Sequence, residues 1–151
     1  MTITLAQTAC SSVEEVSFEC QTSIESGLGE AKINNDEWTT DSVKWSSSPT
    51  GVQLNFPPSD GYHITVVGQK DTLGQSFDDS DYPMEISLLS GSEGGWAVIY
   101  YENDSESTKD GNEMGTLWLE SIEDGEQLKG CFEFSTESFS VTNGYFAAES
   151  L

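Results

Sequence analysis

Residues 128–134 read LKGCFEF, and residues 141–146 read VTNGYF. In the first stretch Leu128, Gly130, Phe132 and Phe134 occupy alternate positions, with Lys129, Cys131 and Glu133 between them. An extended chain sends successive side chains to opposite faces, so this period of two marks a strand with Phe132 and Phe134 aimed at a core. In the second stretch Asn143-Gly144 interrupts the strand with a turn or bulge, glycine there allowing a positive φ.

The same grammar extends outward from this pair. Val52, Leu54 and Phe56 alternate up to Pro57-Pro58 and a Ser59-Asp60-Gly61 turn. Tyr62, Ile64 and Val66 alternate next, as do Met84, Ile86 and Leu88. Residues 96–101 (WAVIYY) are apolar on both faces, which predicts a central strand. Leu117 and Leu119 share a face opposite Trp118, and Asp124-Gly125 is a hairpin signal. Earlier, residues 31–34 and 38–45 read as two strands joined through Asn34-Asn35-Asp36. Residues 69–82 and 102–113 read as long loops. Short alternating runs punctuated by turn residues predict an all-β fold, a single antiparallel β-barrel or β-sandwich of about nine to ten strands. The expected organisation is an N-terminal arm or strand over residues 1–20 and one domain over residues 21–151.

Composition then limits function. The 151 residues hold 27 Asp+Glu against 5 Lys+Arg, a formal net charge of −22, and all five bases are lysines. Nucleic-acid and anionic-membrane binding rest on Lys and Arg neutralising phosphates, so both partners are excluded. Four Trp, five Tyr and seven Phe mark an ordered domain under the acidic surface, because disordered chains are poor in aromatics. The lone His63 reads as a half-exposed strand residue and lacks a Gly-x-Ser-x-Gly partner for nucleophilic catalysis. No apolar run is long enough for a transmembrane helix. Cys20 and Cys131 lie far apart in sequence; they are either a disulfide of an exported protein or two buried thiols.

Three strand patterns carry a resemblance. They are Gly115-Thr116-Leu117-Trp118-Leu119, Gly130-Cys131-Phe132-Glu133-Phe134 and Val141-Thr142-Asn143-Gly144-Tyr145-Phe146, preceded by Ala31-Lys32-Ile33-Asn34-Asn35-Asp36-Glu37-Trp38. Over residues 28–149 this series resembles uncharacterised small bacterial exported lipoprotein domains of calycin-like or related β-barrel fold. That resemblance implies export to the cell surface, periplasm or medium, and it transfers no catalytic residue. Leu5, Ala6, Ala9 and Cys10 also resemble a lipoprotein cleavage box, with Cys10 as the lipidation position, although no intact signal peptide is present.

Candidate sites follow from residue chemistry. Asp78, Asp79 and Asp81, with Asp104, Glu106 and Asp110, form oxygen-rich segments of the kind that hold calcium, the one cofactor the sequence suggests. None matches the EF-hand loop. Trp45 and Trp118 are the candidate aromatic platforms for a ligand. The expected function is a non-catalytic exported or surface domain that acts by binding a glycan or protein partner, with calcium modulating its acidic loops. Two other readings stand beside it. One is a structural subunit of a filament or virion surface, forming a homo-oligomer by strand addition through residues 1–20. The other is a small-ligand barrel with Phe132, Phe134 and Trp96 lining an apolar interior. A carboxylate-based glycoside hydrolase is the catalytic alternative.

Overall fold

Two of the hairpins are set by turns that need a left-handed backbone. Asn34 and Asn35 take φ of 52° and 74°, and Asp60 and Gly61 take 50° and 85°. Positive φ at both central residues is the type I′ signature, whose twist matches that of the flanking strands, and Asn, Asp and Gly are the residues that tolerate it. The first turn joins β1 (Gly29–Ile33) to β2 (Asp36–Thr40), and the second joins β4 (Gly51–Ser59) to β5 (Tyr62–Gln69). Between them lies β3 (Lys44–Ser48). The remaining strands are β6 (Met84–Ser87), β7 (Gly95–Tyr101), β8 (Asp104–Ser107), β9 (Gly115–Glu123), β10 (Gln127–Ser135) and β11 (Ser140–Ser150). The computed structural model describes Cys20 and residues 24–48, 51–69, 84–88, 95–108, 115–123 and 127–151.

The eleven strands form one continuous mixed sheet in the order β6-β9-β10-β11-β3-β4-β5-β7-β8, with β1 and β2 branching from β11. The branch arises on β11. Residues Val141–Phe146 pair with β1, and the strand's end pairs with β3, Glu149 opposite Lys44 and Ser150 opposite Trp45. That last contact is parallel, the other ladders being antiparallel. It joins a half built from β2, β1, β11, β10, β9 and β6 to a half built from β3, β4, β5, β7 and β8. The sheet folds there so that the inner faces of the halves meet. The all-β reading therefore holds. The fold differs from the expected antiparallel barrel or sandwich of about nine to ten strands in that its eleven described strands form one mixed sheet that is not closed into a barrel.

Three local differences have physical causes. The run 38–45 is two strands, not one, because Ser42 turns left-handed (φ 61°) before the buried Val43. Strand β4 continues through Pro57-Pro58 by way of a register shift between Phe56 and Ser59. The carbonyls beside those prolines accept side-chain bonds from β2: Thr40 Oγ1 donates to Pro57 O and Trp38 Nε1 to Ser59 O, each at 2.7 Å. The expected loop 102–113 contains β8, which pairs with β7 from Val98↔Ser107 to Tyr101↔Asp104.

The core is centred on three phenylalanines, one from each of β4, β10 and β11. Phe56 lies 5.1 Å from Phe132 and 5.8 Å from Phe146, ring centre to ring centre. Each ring occupies the space of a missing side chain. Across the β10–β11 ladder Phe132 faces Gly144 and Phe146 faces Gly130. A Cβ on Gly144 would stand 2.6 to 2.7 Å from three atoms of the Phe132 ring, and one on Gly29 would stand 2.8 Å from the Phe56 ring. The glycine at 144 is thus required for room. The left-handed residue of that bulge is Asn143 (φ 51°), contrary to the expectation from sequence. Phe132 and Phe134 are packed core, while Trp96 lies on the outer face, so the expected ligand-lined interior is filled by side chains instead.

Cys20 and Cys131 are disulfide-bonded, with Cα atoms 5.6 Å apart. Cys131 sits in the middle of β10, between Trp118 of β9 and Tyr145 of β11. The bridge thereby ties the chain that precedes β1 to the outer side of the six-strand half. Gly27 N donates to Ala147 O and Val43 N to Gly27 O, which continues the tether into the ladder.

Two outcomes are expected. Gly144→Ala forces the Phe132 ring to move and lowers stability by about 1–3 kcal/mol in urea denaturation. Replacing both Cys20 and Cys131 by serine lowers it by about 2–4 kcal/mol, since the bridge closes a loop spanning 111 residues, with the far-UV β spectrum retained.

Candidate functional site

Carboxylates are distributed unevenly over the sheet. Strands β3, β4, β5 and β7 contain no aspartate or glutamate, whereas each of the other seven carries at least one. These four strands are adjacent, and β8 completes their half. The register makes the outer face of this half explicit. One row runs Ser46–Gln53–Val67–Trp96, a second Lys44–Asn55–Thr65–Val98–Ser107, and a third His63–Tyr100–Ser105. The acids of β8 lie off this face, because Glu106 pairs with inward Ile99 and Asp104 with Tyr101. The outer face of the other half is mixed and mainly acidic, with Glu30, Glu37, Glu85, Glu120 and Glu133 among its residues. Among the described residues these strands thus put no carboxylate of their own on that face of a chain of net charge −22, and Glu149 of β11 borders it, paired with Lys44.

The best organised part of this face is the third row. Among the described residues Tyr100 is the exposed aromatic, at 42%. Its ring stacks on His63, with centres 5.0 Å apart and planes at 24°. His63 is held in turn by Asn55, whose Oδ1 lies 2.9 Å from Nε2 and also accepts from Thr65 Oγ1 at 3.4 Å. A carbonyl oxygen can only accept, so Nε2 carries the proton. Partial burial lowers the His63 pKa, which keeps the ring neutral at pH 7. The cation of the second row, Lys44, is paired with Glu149 at 3.1 Å. Hydrogen bonds from Lys44 and then Ser26, with the charge of Lys44, hold Glu149 below the usual carboxylate range.

The expected platforms fare differently. Trp45 is only 8% exposed and faces the core opposite Leu54, since β3 turns Ser46 outward instead. It cannot be a platform. Trp118 is on an outer face, between Glu85 and Cys131 of the acidic half. The exposed platform is Tyr100. Alternation along β7 puts Tyr100 on one face with Trp96 and Val98 but does not single it out among the aromatics. The signal that could have found it is the absence of acid from residues 42–59, 61–70 and 94–101.

Of the calcium candidates, Asp78, Asp79, Asp81 and Asp110 lie outside the described residues, as do Cys10 and the rest of residues 1–19. Among the described residues no three His, Cys, Asp or Glu side chains gather as metal ligands. Glu106 has a different occupation. Its Oε1 accepts from Thr136 Oγ1 at 2.6 Å and from Ser138 N at 2.8 Å, and its Oε2 accepts from Tyr101 OH at 3.1 Å. These bonds tie edge strand β8 to the turn between β10 and β11. Phe139 fills the same corner, its ring 4.7 Å from Tyr101 and 5.7 Å from Tyr62. Desolvation alone would raise the Glu106 pKa; the donors from Ser138, Thr136 and Tyr101 outweigh it and hold the carboxyl at about 2. Asp104 Oδ1 accepts from Ser105 N at 2.8 Å.

A cleft of about 540 Å³ lies between β1, β2 and the end of β4, with Glu30 and Asp41 in its wall. In this wall Asp41 is exposed and Glu30 half-buried. The Thr40 hydroxyl in the wall is committed to Pro57 O.

The Glu106 clasp has a defined pH signature. A carboxyl depressed in the folded state stabilises fully above its unfolded pKa near 4.5 and loses that contribution as pH falls toward 2. Glu106→Gln is therefore expected to be less stable than the parent at pH 7, with the difference shrinking between pH 4.5 and pH 2. Urea denaturation of the pair across that range measures it, and the difference cancels the general effect of protonating the other acids.

Compared with known protein families, curated proteins and solved structures, this chain has no significant match, so the face has to be interpreted from its own chemistry.

Proposed function

We propose that the chain is a non-catalytic, exported binding domain whose recognition surface is the carboxylate-free outer face of β3, β4, β5, β7 and β8. The observation that carries this reading is the charge distribution: four adjacent acid-free strands in a chain with 27 acidic residues. Anionic ligands are repelled by the body as a whole. Cationic ligands are drawn to the acidic half. An uncharged ligand gains from a face whose charged side chain among the described rows, Lys44, lies at the margin already paired with Glu149, so that little ionised surface is stripped of water on contact. The face lies on paired strands, so its side chains are positioned before a ligand arrives. The disulfide supports export, since such bonds persist in oxidising compartments.

Charge insertion tests the reading. Thr65→Glu places an acid in the middle of this face, and Thr142→Glu places one on the outer side of the acidic half. The probes are an immobilised neutral polysaccharide, heparin, duplex DNA and phosphatidylcholine vesicles. The parent and Thr142→Glu proteins should bind an uncharged probe, Thr65→Glu should lose it, and none should bind heparin or DNA. Retention on heparin or DNA, or equal binding by all three proteins, overturns the reading.

A further inference from the structure

Resting on that reading, we infer that the ligand is a neutral glycan chain laid flat across the face, with one sugar ring stacked on Tyr100 and its hydroxyls met by Gln53, Asn55 and Ser105. Size is the first argument. Five strands at about 4.8 Å and three rows at about 6.8 Å span roughly 19 Å by 14 Å. Even with its rim this face falls short of the roughly 800 Å² per partner of a stable protein interface. A second copy of the chain would in addition bring another charge of −22 against it. A few sugar rings match such an area.

Residue chemistry is the second argument. A saccharide offers an apolar ring face with hydroxyls around its rim, so its receptor needs an exposed aromatic plane with short neutral donors and acceptors beside it. Tyr100 supplies the plane, and the ring of His63 on the neighbouring strand braces it from one side. The ring stacks on His63, His63 is hydrogen-bonded to Asn55, and Thr65 bonds the same Asn55 oxygen. Such a chain of supports lowers the entropy lost when a ligand settles on the ring. Gln53 and Asn55 are exposed amides on neighbouring rows; Gln53 offers both donor and acceptor to vicinal hydroxyls, and Asn55, whose oxygen is taken by His63 and Thr65, offers its NH2 as donor. A lipid surface calls for apolar side chains that protrude, whereas Val67, Val98 and Trp96 are half-buried. An extended peptide adding as a strand needs a free sheet edge, and the middle of this face has its backbone paired on both sides.

The experiment is isothermal titration of the full chain with neutral hexose and N-acetylhexosamine oligosaccharides, with a sulfated oligosaccharide as control. Saturable binding of a neutral oligosaccharide is expected, weakened about tenfold or more by Tyr100→Ala and kept within about threefold by Tyr100→Phe, which preserves the ring. Asn55→Ala should weaken it too, by loosening His63 and removing a polar contact. Thermal melting of each variant separates lost binding from lost folding. Saturable glycan binding that neither Tyr100→Ala nor Thr65→Glu alters places the glycan elsewhere and overturns both this inference and the face reading. If no neutral oligosaccharide binds, while Thr65→Glu still abolishes retention of phosphatidylcholine vesicles, the glycan inference falls and the face reading survives.

Discussion

The fold depends on the exchange of side chains for space between β10 and β11. Phe132 lies over Gly144 and Phe146 over Gly130, each glycine giving up its side chain to the ring across the ladder. Two large rings side by side on one face would otherwise hold apart whatever packed against them. Sunk over the glycines, they admit Phe56 from the opposite half at 5.1 and 5.8 Å. Phe56 is itself received over Gly29. The close approach of the halves follows from this interlock, and the core needs no closed hydrogen-bonded cylinder to be dry.

An open sheet must still protect its ends, and here side chains do so. Ile86 of β6 reaches Gly68 of β5, where a Cβ would stand 2.8 Å from its Cδ1. At the other end β8 is fastened to the turn after β10 through Glu106. Edge strands β6 and β8 have only four residues each, which limits the exposed hydrogen-bonding row that invites aggregation. Glu106 acts at this seam as a hydrogen-bond acceptor for three donors, which together outweigh desolvation and lower its pKa.

How much of this could be read from the chain depends on the range of the interaction. Alternation at residues 128–134 and 52–56 correctly sorted inward from outward side chains, because the two-residue period is local. The I′ turns at Asn34-Asn35 and Asp60-Gly61 were equally legible. What escaped were features set by distant partners. Nothing near Gly144 says that Phe132 covers it, so a steric glycine looked like a conformational one. Asp104 to Ser107 looked like loop because its polar residues are edge-strand residues, paired on one side only. Trp45, between Lys44 and Ser46, looked exposed, and only the register opposite Leu54 shows it facing inward. The candidate face was legible in part: Trp96, Val98 and Tyr100 share a side by alternation. Their meeting with His63, Thr65 and Asn55 depends on the β4–β5–β7 pairing.

The placement of charge has its own logic. A strongly acidic chain is kept soluble by repulsion between copies, and that repulsion strains its own folded state. Both effects would be served by spreading carboxylates over every outward position. The chain instead leaves four neighbouring strands without any, and on their outer side it exposes a tyrosine braced by a neutral histidine. A bare neutral patch of this kind gives up some of the repulsion that prevents self-association. It is kept small, and it carries hydroxyls and amides between its aromatic and aliphatic groups, so that it remains hydrated when empty. On the proposed reading, such a surface suits a ligand that is itself half ring face and half hydroxyl, and the acidic remainder works by exclusion, because polyanions and other copies of the chain meet its field before they reach the face.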